Sequence, residues 1–466
     1  MEPGPRAGIG STENQTWIDQ LNRRPAFFAA LGLGVGIAAG LVPWNGLALL
    51  LGALLGRSYR SWVLLVIMFC VGWSLAPREQ VTEPKKWARY FANQIDVVSI
   101  PRSTSEGYRF VGESNSLRYL VTTIERYPIS LGDRLDVRGR VEELSEVSER
   151  HWHDQNVVLQ IRVRSQPTIV SRGPVFWRWA VAIREYCSGA LQKLLSPEDA
   201  ALVDSFLLND TVELDAETMH RLSVSGLAHL IGSVGAKIYF MAGVLFWLLS
   251  KVPLPRWTQT AIVLTGLLLY AAACGMTANG MRAFFMCAIY LVCPLFRREF
   301  DALSALSCVF VGNILVWPRV IFDVGFQLSI LCILGIALFA PDVNHWLERR
   351  LERNAMPTAL RHAMVVSVVC WLMSAPLIAY HQYFISLSVP IATVLAWIPF
   401  ILLLSCSACC IFLSAISVGF ATRVAGMTVA PLAQGLRQMN EILGSNAYFF
   451  AIPPFSAYWL VICYVL

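Results

Sequence analysis

Several ionisable or strongly polar side chains lie inside apolar stretches of this sequence, where they could do chemistry or bind a polar substrate. They are His229, Lys237, Arg282, Asp323, Gln327 and His381. A charge in a lipid environment is costly, so such groups usually face a protein interior or a water-filled path. Lys237 and Arg282 would attract an anion, and His229 and Gln327 add hydrogen-bonding groups. The alternative for each residue is a structural role in pairing or interhelical hydrogen bonding.

A hydrolytic function is a weaker interpretation of the same residues. An intramembrane hydrolase needs a nucleophile and a base, and these groups are present as His229, Ser233, Asp323 and His381. No nucleophile elbow or fixed spacing accompanies them, so we expect no enzymatic activity and assign no catalytic residue. Asp323 would repel a phosphate unless it paired with Arg282 or capped a broken helix.

Two clusters have spacings that resemble metal sites. They are His151, His153 and Asp154 in "HWHDQ", and Cys406, Cys409 and Cys410 in an apolar run. Neither cluster has the further ligands that would complete a tetrahedral site. We interpret the first as a loop and the second as small apolar filler, and we expect no metal and no other cofactor.

The stretch "SGLAHLIGSVGAKIYFMAGVLFWLL", residues 225–249, must position two of these groups. Its length and apolar content suit a membrane helix. His229 and Lys237 are eight residues apart, which on a helix is a rotation of about 80°, so they project from one broad side. The residues between them that permit close helix contact or local unwinding are Gly232, Ser233, Gly235 and Ala236. The pattern predicts an irregular helix that lines a cavity.

Composition places the chain among polytopic α-helical membrane proteins. Of its 466 residues 56% are hydrophobic and 15% are charged, and its long apolar runs exceed what a soluble core needs. The first membrane helices are expected in residues 25–76, after a polar tail at 1–24. Further spans are expected at 227–250, 258–273, 282–296, 302–317, 323–340, 362–380, 387–404, 406–421 and 450–466.

Short basic loops suggest how these spans are oriented, because such loops tend to remain cytoplasmic. If the tail with Arg23 and Arg24 is cytoplasmic, alternation of the spans places the polar residues 77–174 outside. The same alternation places three later basic loops inside, namely Lys251 with Arg256, Arg297 with Arg298, and Arg349 and Arg350 with Arg353. We therefore expect a multi-pass protein with a cytoplasmic N-terminus.

Residues 77–174 have the pattern of a small extracytoplasmic β domain inserted after the first spans. Apolar and polar residues alternate at 135–141 and 157–164, as in half-buried strands. Further strands are expected at 108–111 and 117–123, and Gly132-Asp133 marks a turn. About five strands predict a small barrel, and an OB-type barrel is favoured. The arginines that would face solvent and could bind nucleic acid are Arg138, Arg140, Arg162 and Arg164; the alternative is an ordinary solvated strand face.

Residues 175–222 are expected to form interfacial amphipathic helices. "PVFWRWAVAIREYCSGALQKLL" mixes aromatic and basic side chains, which suits the boundary of a membrane. Ser196 followed by Pro197 and two acidic residues marks the start of a second surface helix. These helices form either a collar around a membrane entrance or a simple tie between the barrel and the helices of residues 223–466.

Four blocks in the second half of the chain carry a family resemblance. They are "GLAHLIGSVGAKI", "GMTANGMRAFFM", "RREFDALSALSCVFVGNILVWPRVIFDVGFQLSILCILGI" and "APLIAYHQYFISLSVPIATVLAWIP". In this order, after a barrel-like domain, they resemble the ComEC-type competence family. Members of that family form the bacterial inner-membrane channel for DNA uptake in natural transformation. The resemblance covers roughly residues 25–466.

The resemblance carries over residue by residue. Arg282 and Ala283 match an Arg-Ala pair, residues 323–329 contain the Gly-Phe-Gln-Leu-Ser block, and His229 matches the first His of a motif. The chain departs from that motif, because Val234 and Lys237 replace its Ser and its second His. We also expect a shortened form without the metallo-β-lactamase-like domain with which many members end, since no run of metal-binding His and Asp residues of that kind occurs in the sequence. Structural or helix-breaking roles are expected for Pro318, Gly325 and His381, as for Gly232, Ser233, Gly235 and Asp323.

The expected function is that of an inner-membrane channel for uptake of single-stranded DNA, in the competence domain at residues 223–466. The residues expected to lie along the DNA path are His229, Lys237, Arg282 and Gln327. The alternative is a divergent family member that has lost DNA uptake or moves another solute, as the altered motif suggests. Expected partners are single-stranded DNA, membrane lipid, a separate DNA receptor, a cytoplasmic ATP-driven motor and a separately encoded nuclease. Whether the chain forms a homo-oligomer is left open.

Overall fold

The structure is a computed structural model, and it describes most of the chain beyond residue 89. The described residues are 90–99, 101–103, 107–114, 117–124, 129–142, 157–163, 166–211, 213–316, 320, 323–350, 357–444 and 449–453. Several predicted features lie outside the described residues. They are the tail at 1–24, the helices in 25–76, the "HWHDQ" loop, Arg164, Pro318 and the last thirteen residues, 454–466.

A small closed β-barrel precedes the helices. Its strands and two short additional strands are β1 (Tyr90–Val97), β2 (Arg102–Ser103), β3 (Tyr108–Ser114), β4 (Leu117–Thr123), β5 (Arg134–Glu142), β6 (Val157–Val163) and β7 (Thr168–Ser171). Five strands pair in the order β1-β3-β4-β6-β5, and β5 pairs back with β1. All pairs of this ring are antiparallel except β4 with β6. The predicted small barrel is confirmed.

Alternating side chains make the interior of the barrel. Ile95, Phe110, Val121, Leu135 and Ile161 point inward and are at most 1% exposed. The polar residues between them face outward because successive side chains of a strand point to opposite faces. Strands β5 and β6 were predicted from this alternation, and β3 and β4 were predicted as further runs beside them. Strand β1 was missed, since "YFANQIDV" has no regular alternation.

The turn before β5 forms as predicted. Gly132 has a φ of +85°, a conformation that glycine adopts at little cost. The buried Asp133 carboxylate accepts hydrogen bonds from the backbone N–H groups of Ser130, at 2.9 Å, and Gly173, at 2.7 Å. The Asp133 carboxylate therefore ties the start of β5 to the chain that enters the first helix.

Three helices follow the barrel: α1 (Val175–Leu194), α2 (Pro197–Leu208) and α3 (Ala216–Ser225). Helix α1 is amphipathic as predicted, with Trp179 and Tyr186 exposed and Leu191 buried. Ser196 caps α2 as predicted, its side chain accepting from the Asp199 N–H. The prediction of a second surface helix is wrong, because residues 199–208 are all buried. The apolar residues of α2 pack against later helices on every side, which the capping pattern could not reveal.

The helices that follow contain the apolar runs of the sequence. They are α4 (Ala228–Gly232), α5 (Val234–Leu249), α6 (Arg256–Ala273), α7 (Ala278–Val292) with a 3-10 turn (Cys293–Phe296), α8 (Ala302–Val316), α9 (Val324–Leu338), α10 (Ala340–Arg350), α11 (Thr358–Gln382), α12 (Val389–Ser414) and α13 (Val418–Leu443). Strands β8 (Phe384–Ser386) and β9 (Phe449–Ala451) pair antiparallel. Helix α8 belongs to a separate compact unit, within which Asp301 accepts from the Ser304 N–H at its start.

Three of the described helices are long and apolar enough to cross a membrane. They are Ala278–Phe296, Thr358–Gln382 and Val389–Ser414, and the pair α9 and α10, bent by 46°, would make a fourth. The described part of the chain is thus mostly helical, with the barrel N-terminal to the apolar spans. These helices indicate a membrane protein.

Two helix boundaries differ from the prediction. The spans expected at 387–404 and 406–421 are largely one helix, α12, because the polar residues between them do not break it. The Ser405 hydroxyl donates to the Ile401 carbonyl at 2.7 Å, which satisfies the hydroxyl within the helix. Helix α13 was missed, since its apolar residues follow one face only and Pro431 interrupts the sequence pattern.

Candidate transport cavity

A cavity of about 1200 Å³ is lined by residues of strand β8 and of seven helices, namely α3, α4, α5, α7, α9, α11 and α12. The polar part of its wall includes His229, Ser233, Arg282, Ser329 and Thr393. Most of the remaining wall is apolar. All of the lining residues lie between positions 223 and 404, so the barrel contributes none.

Helix α11 shows how far the cavity extends. The lining residues on this helix run from His362 to Gln382. Twenty residues of helix rise by roughly 30 Å, which is about the thickness of the hydrocarbon core of a bilayer. Helix α12 runs beside α11 and lines the cavity from Val389 to Leu404. The cavity therefore follows these two helices over a length comparable with a membrane.

A break between α4 and α5 shapes one side of the cavity. Ser233 separates the two helices with φ −76° and ψ 50°, outside the helical region. Its hydroxyl donates to the Leu230 carbonyl at 2.7 Å. His229 is exposed toward the cavity, with Nδ1 against the Gly226 carbonyl and Nε2 3.4 Å from Thr393 Oγ1. Ser233 and His229 thus line one cavity, but each hydrogen-bonds to a different partner.

Small residues bring α5 close to α7 at this break. A side chain on Gly235 would place its Cβ 3.2 Å from the Ala283 Cβ and 3.6 Å from Arg282 Nη2. At Gly232, by contrast, a side chain would have room, since nothing lies within 4 Å of a Cβ built there. Gly235 therefore permits the close helix contact that the sequence suggested, and Gly232 does not need to be glycine for space.

Lys237 lies away from the cavity wall. Its side chain is only 1% exposed, and Nζ donates a hydrogen bond to the Ile231 carbonyl at 2.8 Å. Ile231 belongs to the last turn of α4, whose carbonyls have no partner within the helix. The Lys237 ammonium therefore caps α4 from the first turns of α5 and stabilises the break.

Arg282 has the opposite character, because it lines the cavity without a charged partner. It lies in the first half of α7 and is 6% exposed. Its Nη1 contacts Met286 Sδ at 3.5 Å, its Nε has no hydrogen-bond partner, and no carboxylate of the described residues forms an ion pair with it. A buried guanidinium usually has an anionic partner. The arrangement leaves positive charge available to an anion in the cavity.

The other intramembrane candidates do not meet at this wall. Asp323 is the N-cap of α9, where Oδ1 accepts from the Phe326 N–H at 2.7 Å. Gly325 follows in the first turn, and a Cβ there would lie 3.6 Å from Asn279 Nδ2 of α7. Gln327 lies one turn further along α9. His381 is exposed near the end of α11, with its ring 5.1 Å from that of Tyr380.

The sequence reasoning missed the aromatic and thiol groups of the wall. They include Tyr239, Phe240, Cys332, Cys370, Trp371, Phe384 and Trp397. In the sequence these side chains are indistinguishable from lipid-facing ones, because all except Phe384, which lies in β8, belong to apolar helices. A spacing signal exists on α11, where Trp371, Ser374, Ala375 and Ile378 follow the three- and four-residue steps of one helix face, and the lining residues of α9 and α12 follow the same steps.

The predicted barrel arginines lie on the outer surface of the barrel. Arg138 is 3.8 Å from Asp136, and Arg162 is 3.8 Å from Glu142. Arg140, two residues after Arg138 on β5, is also exposed. Their outward position agrees with the strand alternation from which they were selected.

Comparison with known proteins relates the helical part of the chain to one family. The model of the family described as Competence protein matches residues 206–466. The chain is also similar to ComE operon protein 3 of Bacillus subtilis (strain 168), with 24% identity over 211 residues. That alignment covers 45% of this chain and only 26% of the relative. No solved structure matches the chain. The family match contains every residue that lines the cavity.

Proposed function

Because the chain belongs to the Competence protein family, we propose that it forms a membrane channel through which single-stranded DNA is taken up in natural transformation. The observation that carries this proposal is the long cavity with Arg282 on its wall. A DNA strand is a polyanion, and a cation in a low-dielectric path lowers its electrostatic barrier.

The remaining wall suits the rest of a nucleotide. Aromatic side chains such as Trp371 and Trp397 offer surfaces on which bases stack without sequence preference. Few charged groups are present, so a strand would be held weakly at each point and could move on. Several weak contacts of this kind are what conduction requires. We accordingly assign the chain a transport role and no enzymatic one.

The strand order supports the proposal that the barrel is of the OB type. Counted around the five closing strands in chain order, the pairing is 1-2-3-5-4-1, with only the third and fifth strands parallel. A five-stranded Greek-key barrel of this kind commonly binds oligonucleotides. We propose that the barrel is extracytoplasmic and that it meets the strand before the helices do.

The basic loops and the family support a proposal for the membrane and the orientation of the channel. We propose the bacterial inner membrane, with a cytoplasmic N-terminus. A separate receptor would deliver the DNA, a cytoplasmic ATP-driven motor would pull it, and a nuclease would degrade the other strand. The motor is part of the proposal because a channel has no energy source of its own.

The test is a transformation assay in a deletion strain that carries this chain as its sole copy. We expect internalisation of labelled DNA to be restored by the native chain and reduced about tenfold or more by Arg282→Gln, because the path loses its buried charge. Arg423→Gln, which removes an exposed arginine of α13, is the matched control and should have no effect. Unchanged internalisation without the chain would refute the channel.

A second function stays open because of Lys237, which replaces a family histidine and serves to cap α4. The chain would then be a divergent member that has lost DNA uptake or moves another solute. The discriminating variant is Val234→Ser with Lys237→His. If the native chain does not support transformation and this double variant does, the divergent reading is correct.

A further inference from the structure

A continuous row of outward side chains crosses all five strands of the barrel. Tyr90 on β1 lies opposite Arg140 on β5, and Arg140 lies opposite Arg162 on β6. Arg162 lies opposite Thr122 on β4, and Thr122 lies opposite Arg109 on β3. We call these five residues the barrel row. Directly opposed residues share a face of the sheet, so the row forms one stripe around the barrel.

The barrel row faces outward over its whole length. Tyr90 is 60% exposed, the three arginines are exposed, and Thr122 is half-buried. The chain neighbours of these residues, such as Tyr108, Val121 and Ile161, point into the barrel. In the backbone register the row extends onto β2, where Arg102 lies opposite Arg109.

The positive charge of the row is largely uncompensated. Arg140 and Arg162 are direct cross-strand neighbours, and like charges in such positions repel and destabilise a sheet. Among the described residues, Arg109 and Arg140 form no ion pair, and Arg162 is 3.8 Å from Glu142. Two barrel arginines outside the row are better neutralised, since Arg134 donates to Asp96 at 2.6 Å and 3.0 Å and Arg118 donates to Glu113 at 3.2 Å. An external anion would relieve the repulsion in the row.

The spacing of the row matches a chain of phosphates. Neighbouring strands lie about 4.8 Å apart, so the three arginines offer a cation at intervals of roughly 5 to 10 Å. The exposed Tyr90 ring at one end is placed to stack on a base. Because the row curves around a five-stranded barrel, only a flexible polyanion can follow it. Duplex DNA is too stiff to do so, and a planar membrane would touch one side only.

We propose that the barrel row is a binding track for the backbone of a single DNA strand, with Tyr90 stacking on a base at its end. The proposal deepens the proposed channel function by giving the incoming strand a site outside the cavity. The position of the row fits this role. Arg109 follows Tyr108, whose hydroxyl donates to Glu185 on α1, and α1 continues into the helical core. A strand on the row is therefore held beside the helices.

The test is binding of a fluorescent oligothymidylate of about 20 nucleotides, longer than the site of one such barrel, to the full chain in lipid nanodiscs. The triple variant Arg109→Gln, Arg140→Gln, Arg162→Gln should weaken binding about tenfold or more. The slope of log affinity against log salt should fall by about 2, since each phosphate contact to a single strand contributes about 0.7. Tyr90→Ala should weaken binding about fivefold or more without changing that slope.

A matched control removes the same charge elsewhere on the barrel. Arg118→Gln, Arg134→Gln, Arg172→Gln changes three exposed arginines near Glu113, Asp96 and Asp133, and should leave the salt slope nearly unchanged. The conservative triple variant to lysine should keep the slope, which separates charge from folding. Equal losses in the two glutamine variants would overturn the proposal, as would an absence of binding by the native chain.

Two further outcomes distinguish the binding track from lipid binding and from the channel function. If the row variant loses association with anionic phospholipid vesicles but binds the oligonucleotide normally, the row contacts lipid and the proposal is wrong. If the native row binds DNA with the stated salt dependence but the chain does not restore transformation, the channel function fails and the binding track stands. Arg282→Gln should bind the oligonucleotide normally in either case, because Arg282 lies in the cavity.

Discussion

At the scale of residues, two cations selected from the sequence for the same reason have different surroundings. Lys237 donates to the Ile231 carbonyl and has almost no exposed surface, so its charge serves the helix break. Arg282 lines the cavity with an unpartnered Nε. A buried charge in a membrane protein is therefore a reason to examine a residue, but its hydrogen bonds decide between a structural and a transport role.

Lys237→Met tests the structural role. Loss of the donor leaves the Ile231 carbonyl unpaired, which costs about 1–3 kcal/mol, partly offset because an ammonium no longer has to be buried. We expect a lower temperature of thermal unfolding in detergent and nearly normal DNA internalisation per folded molecule. If internalisation is abolished while stability is unchanged, Lys237 contacts the substrate and the capping role is insufficient.

Asp323→Ala removes the N-cap of α9. The Phe326 N–H then loses its acceptor at 2.7 Å, and loss of a cap typically costs about 1 kcal/mol. We expect a measurable decrease in thermal stability, with Asp323→Asn close to the native chain because asparagine is also a good cap. An asparagine variant as unstable as the alanine variant would indicate that the negative charge, and not the cap, is required.

At the scale of elements, the sequence pattern of a helix predicts its burial for α1 but not for α2. Helix α1 has an exposed aromatic side and a buried side, as its sequence predicts. Helix α2 is buried from residue 199 to its end although it carries Asp199 and Asp204, whose Oδ1 atoms have no hydrogen-bond partner. Arg437 of α13 approaches Asp199 at 3.4 Å, and Ser188 of α1 donates to Asp204 at 2.8 Å. These buried carboxylates lie where α1, α2 and α13 meet.

Asp204 predicts how the stability of this helix cluster depends on pH. Burial raises the pKa of its carboxyl from 3.8 to about 7, against the hydrogen bond from Ser188. Asp210 and Glu213 act in the same direction as burial, and Arg184 opposes them. Because the folded state holds this proton more tightly, the contribution of Asp204 to stability is fully present below about pH 4 and is progressively lost as the pH rises through about 7.

The measurement is thermal unfolding of the detergent-solubilised chain across this pH range. Asp204→Asn cannot ionise, so the decrease in stability between about pH 4 and pH 8 should be smaller in this variant than in the native chain. Asp215→Asn, an exposed cap residue of α3, is the control and should keep the decrease. Parallel curves for the native chain and Asp204→Asn would contradict the raised pKa.

At the scale of the whole molecule, the helices and the barrel divide the proposed work. The cavity lies entirely among the helices, within the part that matches the Competence protein family. The barrel lies before that match and presents the row of arginines. Binding of a strand and its passage can therefore be disturbed separately, which makes the two proposals independent in experiment.

A bulky side chain in the cavity tests whether the DNA strand passes through it, without changing any charge. Ala375 lines the cavity on α11, whereas Leu372 of the same helix is 57% exposed and is not part of the cavity wall. Ala375→Trp should reduce DNA internalisation about tenfold or more and leave surface binding of DNA intact, because the larger side chain narrows the path. Leu372→Trp adds similar bulk toward lipid and should be neutral. Equal activity of both variants would mean that the strand does not use this cavity.

The sequence by itself determined the class of the molecule. Long apolar runs require membrane helices because the backbone must satisfy its hydrogen bonds internally. Strict alternation at 135–141 and 157–163 identified two barrel strands because side chains on a strand point to opposite faces in turn. The ordered motif blocks identified the family, and the small residues around Ser233 indicated the break between α4 and α5.

The tertiary structure alone decided which side chains meet. Arg109, Arg140 and Arg162 lie on three strands far apart in sequence, and only the register of those strands aligns them with Tyr90. The same holds for the cavity, whose wall is shared among seven helices, most of which look equally apolar in the sequence. Local patterns encode which face of an element is buried, but they do not encode the neighbour against which that face packs.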